Sequence, residues 1–425
     1  MGFALGRRQA LGLAAAAALA PRGARAAARN LHVLAHRVHQ NSLTTGAAGD
    51  LTADWRKTAD ADIDWVTADT NPLQDRLLRE ASLNTTDFGV GFLVNSRATQ
   101  DTAKLLLGLN DFQAKAPIED LPDIAPGLID AMRFDGKLVA VPFRHATLGL
   151  FYNEALLAER GIAAPPTTLE ELVAQAKQAT FTSAAGTPVT GMVLASDLTT
   201  FPVTFIRAFG GDFIGQGMKL MPDLSAVEKA LSVLAGMYRD GSLPRTYATT
   251  ANEDQATWMM AGRAAFTVLP IARFAQLNGA QSKYPGRIKV AEFPVAEALK
   301  GKVPMAAPVE FWAMCIPANF PDKDFAWSFI RSMSSKAVTT GAARNGNGPV
   351  RVSTYRDPAF IASQPQAAVE AAALANARVP LPAFPEAARA QAVFLEEVQL
   401  TVLGRKTPAA AVAAIAERVK PLLPA

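Results

Sequence analysis

Short apolar runs alternate along this chain with stretches where apolar residues recur every three or four positions. Leu31-His32-Val33-Leu34-Ala35 reads as a strand, Asp50 to Lys57 as an amphipathic helix and Ile63-Asp64-Trp65-Val66-Thr67 as a second strand. Residues 72–83 place Leu73, Leu77 and Leu78 on one helical face, and Phe88 to Val94 is a third strand. This order predicts a mostly parallel sheet with helices on both faces. Such sheets take ligands beyond the carboxyl ends of their strands. His36 to Gln40, Asp69 to Asn71 and Asn95-Ser96 are therefore expected at a cleft.

The pattern then repeats. Asp135-Gly136-Lys137 is a turn that opens the strand Leu138 to Val141, which Pro142 is expected to end. A helix from Glu154 stops at Gly161, and Thr168 with Glu171 three residues on marks the start of the next. Further strands are read at 191–195, 264–269, 288–293 and 311–316, and helices at 200–209, 223–238 and 253–261. From Asp322 the pattern is nearly all helical, and Thr407-Pro408 supplies the cap and first-turn proline of the last helix. About 400 residues exceed what one core holds, so two lobes are expected. The absence of a low-complexity linker points to a stiff hinge of several strands.

The N-terminus changes the charge argument. Arg7 and Arg8 precede an uncharged, Ala-rich run from Ala10 to Ala20, Pro21 ends it, and Ala24-Arg25-Ala26 reads as a cleavage site. This is the layout of a signal peptide over residues 1–26, and the paired arginines resemble a twin-arginine signal. Cleavage removes Arg7, Arg8, Arg22 and Arg25, which brings 42 Lys+Arg down to 38, equal to the 38 Asp+Glu. The basic excess belongs to the leader, so it gives no argument for nucleic acid as a partner. The one cysteine, Cys315, lies in an apolar stretch and is expected to be buried. P-loop, G-x-S-x-G, H-E-x-x-H and Cys–His patterns are all missing, and no cofactor motif is present. The expectation is a protein that is not an enzyme, with a secreted cleft enzyme as the alternative from another class.

Three segments carry a family resemblance. The first runs from Asp135 through Val141-Pro142, Phe151-Tyr152-Asn153-Glu154, Gly161-Ile162 and Pro166-Thr167-Thr168-Leu169-Glu170-Glu171-Leu172. The second is Met259-Met260-Ala261-Gly262-Arg263-Ala264-Ala265-Phe266-Thr267, and the third is Phe325-Ala326-Trp327 followed by Gly346-Asn347-Gly348-Pro349. In order and spacing they resemble extracellular solute-binding protein family 1 of ABC importers, the group containing the maltose-binding protein. The resemblance implies an α/β, two-lobed periplasmic-binding-protein fold with a ligand cleft between the lobes and a multi-strand hinge. It also implies a small-molecule solute and the permease subunits as partners, a monomer, and a sugar or oligosaccharide as first choice of ligand. The expected lobes are 29–142 with 270–309, and 146–265 with 316–425, the C-terminal helices packing back across both. Two departures bear on the ligand. Pro270 is followed by Ile271-Ala272-Arg273 where sugar-binding relatives often place Trp, and Phe143 to Thr147 holds no carboxylate.

The candidate binding residues follow from strand ends and crossings: His36, His39 and Gln40, then Asn95, then Arg144 and His145, then Glu310 or Trp312. His36 and His39 have H-x-x-H spacing, which can serve zinc, but no carboxylate or cysteine stands near, and no metal is expected. Local capping is the competing role for these histidines. One of Glu310 and Trp312 is expected, by strand alternation, to face the cleft while the other packs away. Arg144 suits a carboxylate, which makes a sugar acid the second choice of ligand.

Overall fold

A computed structural model describes residues 29–424; the expected signal segment lies outside the described residues. Eleven strands occur in the order β1 (Arg29–Ala35), β2 (Ala61–Thr67), β3 (Phe88–Val94), β4 (Arg133–Phe134), β5 (Lys137–Leu138), β6 (Ala140–Asn153), β7 (Phe181–Thr182), β8 (Pro188–Val193), β9 (Ala264–Pro270), β10 (Ile288–Ala291) and β11 (Val309–Cys315). β1 runs parallel to β2 and β3; helices Arg37–Thr44 and Ala53–Ala59 lie between β1 and β2, and helix Thr70–Ala81 between β2 and β3. Gly91 on β3 has a packing reason: a Cβ there would meet Leu77 Cδ1 of helix Thr70–Ala81 at 2.4 Å. Only a bare backbone lets that helix lie so close to the sheet.

The strands follow one path, β2-β1-β3-β11-β6-β9-β8-β7, with β10 also on β6. The long strand β6 is the join. Residues 140–147 pair with β11, and residues 148–153 pair with β9 and β10. Pro142 does not end this strand. It faces Ala313 across a register shift at Trp312/Ala313, and the irregularity accommodates a residue that has no N–H to give the ladder.

Two separate cores flank the join. One is built from Leu31 to Phe143 together with Val309 to Ala377, and the other from Leu148 to Met305 together with Phe384 to Val419. The expected boundaries therefore need correction at the returning segments. Residues 270–309 are expected in the first lobe, yet Phe293, Val295 and Met305 pack in the second core. Residues from 316 on are expected in the second lobe, yet Phe325, Trp327, Phe329 and Tyr355 pack in the first. The physical reason is β11, which inserts between β3 and β6 and carries the chain back into the first lobe.

The chain crosses between the cores three times, and the crossings lie side by side. Leu148 N–H donates to Pro308 O (3.1 Å), Val309 N–H to Arg378 O (3.1 Å) and Arg378 N–H to Ala307 O (3.0 Å). Caps read from the sequence are present: Thr168 Oγ1 accepts from Glu171 N–H (3.2 Å), and Thr407 Oγ1 accepts from Ala410 N–H (3.3 Å). No helix among the described residues is long and apolar enough to cross a membrane.

Candidate functional site

A cavity of about 640 Å³ lies between the two lobes against the crossings. The first lobe supplies Asn95, Ser96 and Arg97, where β3 ends. Leu148, Val309 and Glu310 come from the crossing strands. The second lobe supplies Leu198, Thr199 and Thr200, which follow β8 and begin helix Thr200–Ala208, and a proline-rich wall from Pro380 to Gln391.

Glu310 is the one acidic residue of this lining, and it is exposed to the cavity. Crowding by the walls costs its carboxylate hydration and raises its pKa above the ordinary value, while Arg144 works in the opposite direction. Asn95 is already half used: its Oδ1 accepts the Phe311 N–H at 2.8 Å and fixes β3 to β11. What remains for a solute is its NH₂. Arg144 does not line this cavity: it is half-buried on β6 opposite Trp312, with one long hydrogen bond among the described residues, from Nη1 to Asn347 Oδ1 at 3.4 Å. Burial lowers its pKa, and the charges of Glu370 and Glu310 oppose that shift.

The histidines take structural places. His36 is half-buried and caps helix Arg37–Thr44, its Nδ1 accepting the Val38 N–H at 3.2 Å. His39 returns the contact, its Nδ1 accepting the His36 N–H at 3.3 Å, so the H-x-x-H pair forms a helix cap. His39 is fully buried, stacked 4.4 Å from Phe92, and burial holds its pKa well below the ordinary value. Its assignment to the ligand surface is corrected, because no edge of it reaches the cavity. The same correction applies to His145, on the opposite face of β6 from Arg144. His145 is buried against Tyr355 Oη (2.8 Å) and Thr147 Oγ1 (2.9 Å). Gln40 is half-buried on the same helix as His39, and neither it nor the capping His36 lines the cavity.

Glu310 and Trp312 are two residues apart on β11, so they share a face and alternation cannot separate them. Glu310 sits nearer the crossing and opens to the cavity, whereas Trp312 lies under the His39 ring (4.9 Å) and is buried.

The second-lobe half of the lining was missed from sequence, although a signal existed. The strand-end rule that marked Asn95 marks Leu198 to Thr200 equally well, because they follow β8. The Pro380 to Pro385 part of the wall has no periodicity to read, and Ala387 to Gln391 open helix Ala387–Val402. Thr199 is buried, and its Oγ1 has no hydrogen-bond partner among the described residues. Among the described residues no three His, Cys, Asp or Glu side chains gather as a metal site.

Residues 50–369 match the family model described as bacterial extracellular solute-binding protein. The chain belongs to that family. Among curated proteins, one from Deinococcus radiodurans named as a probable ABC transporter-binding protein is 24% identical over 267 residues, covering 60% of this chain and 62% of that protein. The alignment thus spans under two thirds of that relative. Among solved structures, the sugar-binding protein MalE of Xanthomonas citri matches with a TM-score of 0.77 at 20% identity, over 92% of this chain and 97% of that one. Maltose-bound MalE3 of T. maritima matches at 0.73 and 22% identity, over 93% and 100%. An ABC transporter solute-binding protein of Agrobacterium radiobacter K84 in complex with ribitol matches at 0.71 and 22%, over 92% and 98%. These likenesses give the two-lobed fold of this family member.

Proposed function

We propose that this solute-binding protein is the periplasmic capture component of an ABC importer, closing its cleft on a small polar solute and presenting the closed form to the permease. The observation that carries this reading is the cavity between the lobes, with Asn95 and Arg97 on one wall, Thr200 on the other and Glu310 at the crossing. A neutral polyol or short sugar is the favoured solute. Glu310 offers acceptors without an ion-pair partner, Asn95 offers donors, and apolar ring or chain faces suit Pro380, Pro382 and Pro385. Structural relatives with bound maltose, ribitol, D-mannitol and α-D-tagatose belong to the same chemical range. A sugar acid is the second reading, favoured by Arg144, which stands behind the cavity lining and makes no salt bridge among the described residues, although the charges of Glu370 and Glu310 reach it.

We read the protein as a binder, in keeping with its membership of a solute-binding family. It acts as a monomer after export and removal of residues 1–26. A thermal-shift screen of maltose, ribitol, mannitol, tagatose and glucuronate tests the solute assignment. A tight ligand raises the melting temperature by mass action, and a flat response across neutral and acidic sugars alike would remove the sugar reading. Replacing Arg7 and Arg8 by Lys should trap the precursor inside the cell, and mature protein still recovered outside would refute the twin-arginine route.

A further inference from the structure

Helix Thr200–Ala208 touches both working parts of the molecule. Its first residue lines the cavity, and near its other end Arg207 reaches the crossings. Arg207 is 3% exposed, yet every nitrogen of its guanidinium is engaged. Nε donates to both carboxylate oxygens of Asp212 at 3.2 Å. Nη1 donates to the carbonyls of Ala306 (3.3 Å) and Arg378 (2.9 Å), and Nη2 to that of Val379 (2.6 Å). Those carbonyls belong to the two returning crossings, and the proline-rich cavity wall begins at the next residue, Pro380. A rigid planar fork holds such a set of acceptors in fixed relation, which a flexible ammonium cannot do.

On the first-lobe side, the comparable tie is Asn95 Oδ1 on Phe311 N–H. Between these two ties the crossings are joined by backbone hydrogen bonds at Leu148, Val309 and Arg378 and by the small apolar cluster of Ile271, Ala307 and Ala373. We propose that Arg207 is a positioning residue for cleft closure. It binds the returning crossings and the Pro380 wall to the second lobe as one body, and so confines bending to the short stretch between Arg207 and Asn95. This rests on the reading that the cleft closes, but its test needs no solute.

Cysteines placed at the exposed positions Asp101 and Lys229, one on each lobe, carry spin labels, and the buried Cys315 stays silent. In the solute-free full-length mature protein, Arg207→Met and Arg207→Lys should each widen the interlobe distance distribution about twofold. Both should also speed amide exchange at Val309 and Arg378 about tenfold, while exchange in the β8–β9 ladder stays at the parent rate. Arg207→Lys keeps a cation beside Asp212 and loses the fork, so it decides the matter if the Met variant does not fold. A parent-like distribution with parent-like exchange at Val309 in Arg207→Lys overturns the proposal. A failed solute screen would leave these readouts standing, and unchanged readouts would leave the screen standing, so the two readings fail separately.

Discussion

Two arginines flank the hinge and differ in how their donors are used. Arg207 is buried and engages all three of its guanidinium nitrogens, on Asp212 and three carbonyls. Arg144 is half-buried, and one long bond to Asn347 is all it makes. The difference separates structure from readiness to bind. A buried guanidinium whose fork is filled holds the fold together, because its desolvation is repaid only by that set of partners. A half-buried one with open donors is cheap to keep in the apo state and gains when something anionic or hydroxylated arrives.

The largest effect expected from this contrast comes from Asp212. It accepts both Nε bonds of Arg207 and stands 3.6 Å from Arg378 Nη2, so Asp212→Ala leaves a buried cation without its counter-charge. Breaking such a pair costs about 3–5 kcal/mol. Chemical denaturation of parent and variant measures it. A loss below about 1 kcal/mol, the range of an exposed pair, would place Arg207 with Arg144 and collapse the contrast.

Next in size is a pH effect beneath Arg144. Burial raises the Glu370 carboxyl from 4.5 to about 7, opposed by Arg144, and burial lowers His145 from 6.5 to about 3, with Arg144 adding to the shift. Their side chains approach to 3.9 Å. The signs are opposite. Glu370 contributes stability that is full below its unfolded value of 4.5 and is lost as pH rises through about 7. His145 contributes stability that is full above 6.5 and is lost as pH falls through about 3. The two slopes oppose each other between about 4.5 and 6.5, so the parent should show a nearly flat denaturation midpoint there. Glu370→Gln removes one slope. Its stability should climb with pH across that window and exceed the parent's above pH 7 by up to about 3 kcal/mol. Superimposable midpoint–pH curves for the two proteins would show that Glu370 does not titrate in this way.

Local chemistry explains which parts of this molecule could be read from its sequence. β1 to β3 and helices Ala53–Ala59 and Thr70–Ala81 follow from apolar spacing, whereas helix Arg37–Thr44, where a strand-end loop is expected, does not. The Thr168 and Thr407 caps follow from the need of the first helical N–H groups for an acceptor. Lobe membership after residue 270 did not follow, because periodicity tells that β11 is a strand and not that it enters between β3 and β6. The histidines misled for a related reason. His36 does follow β1, but His39 lies within helix Arg37–Thr44 and His145 in the middle of β6, and a ring can serve the backbone beside it, as His36 and His39 do, without reaching a ligand. Arg207 looked like one more helical arginine, since its partners Ala306, Arg378 and Val379 are about 100 or more residues away and act through carbonyls that every residue has.

The smallest effect on stability, and the one that most sharpens the contrast, belongs to Arg144 and Glu310 themselves. Arg144→Met forfeits one long hydrogen bond at a half-buried site, so the apo protein should change by less than about 1 kcal/mol. Glu310→Gln keeps size and acceptor while removing a charge that already suffers from crowding, so apo stability should hold or rise slightly. Binding should separate them. A neutral polyol or sugar uses the Glu310 carboxylate as a charge-assisted acceptor, so Glu310→Gln should cost about tenfold in affinity and Arg144→Met should cost little. A sugar acid reverses the order, because the Glu310 charge repels it and the Arg144 fork holds it. In that case Arg144→Met should cost about a hundredfold or more. Calorimetric titration of the solute found in the screen against both variants reads the order directly. Equal affinities in parent and both variants would take these two residues off the binding surface and leave the second-lobe wall, with Thr200 and Gln391, to supply the polar contacts.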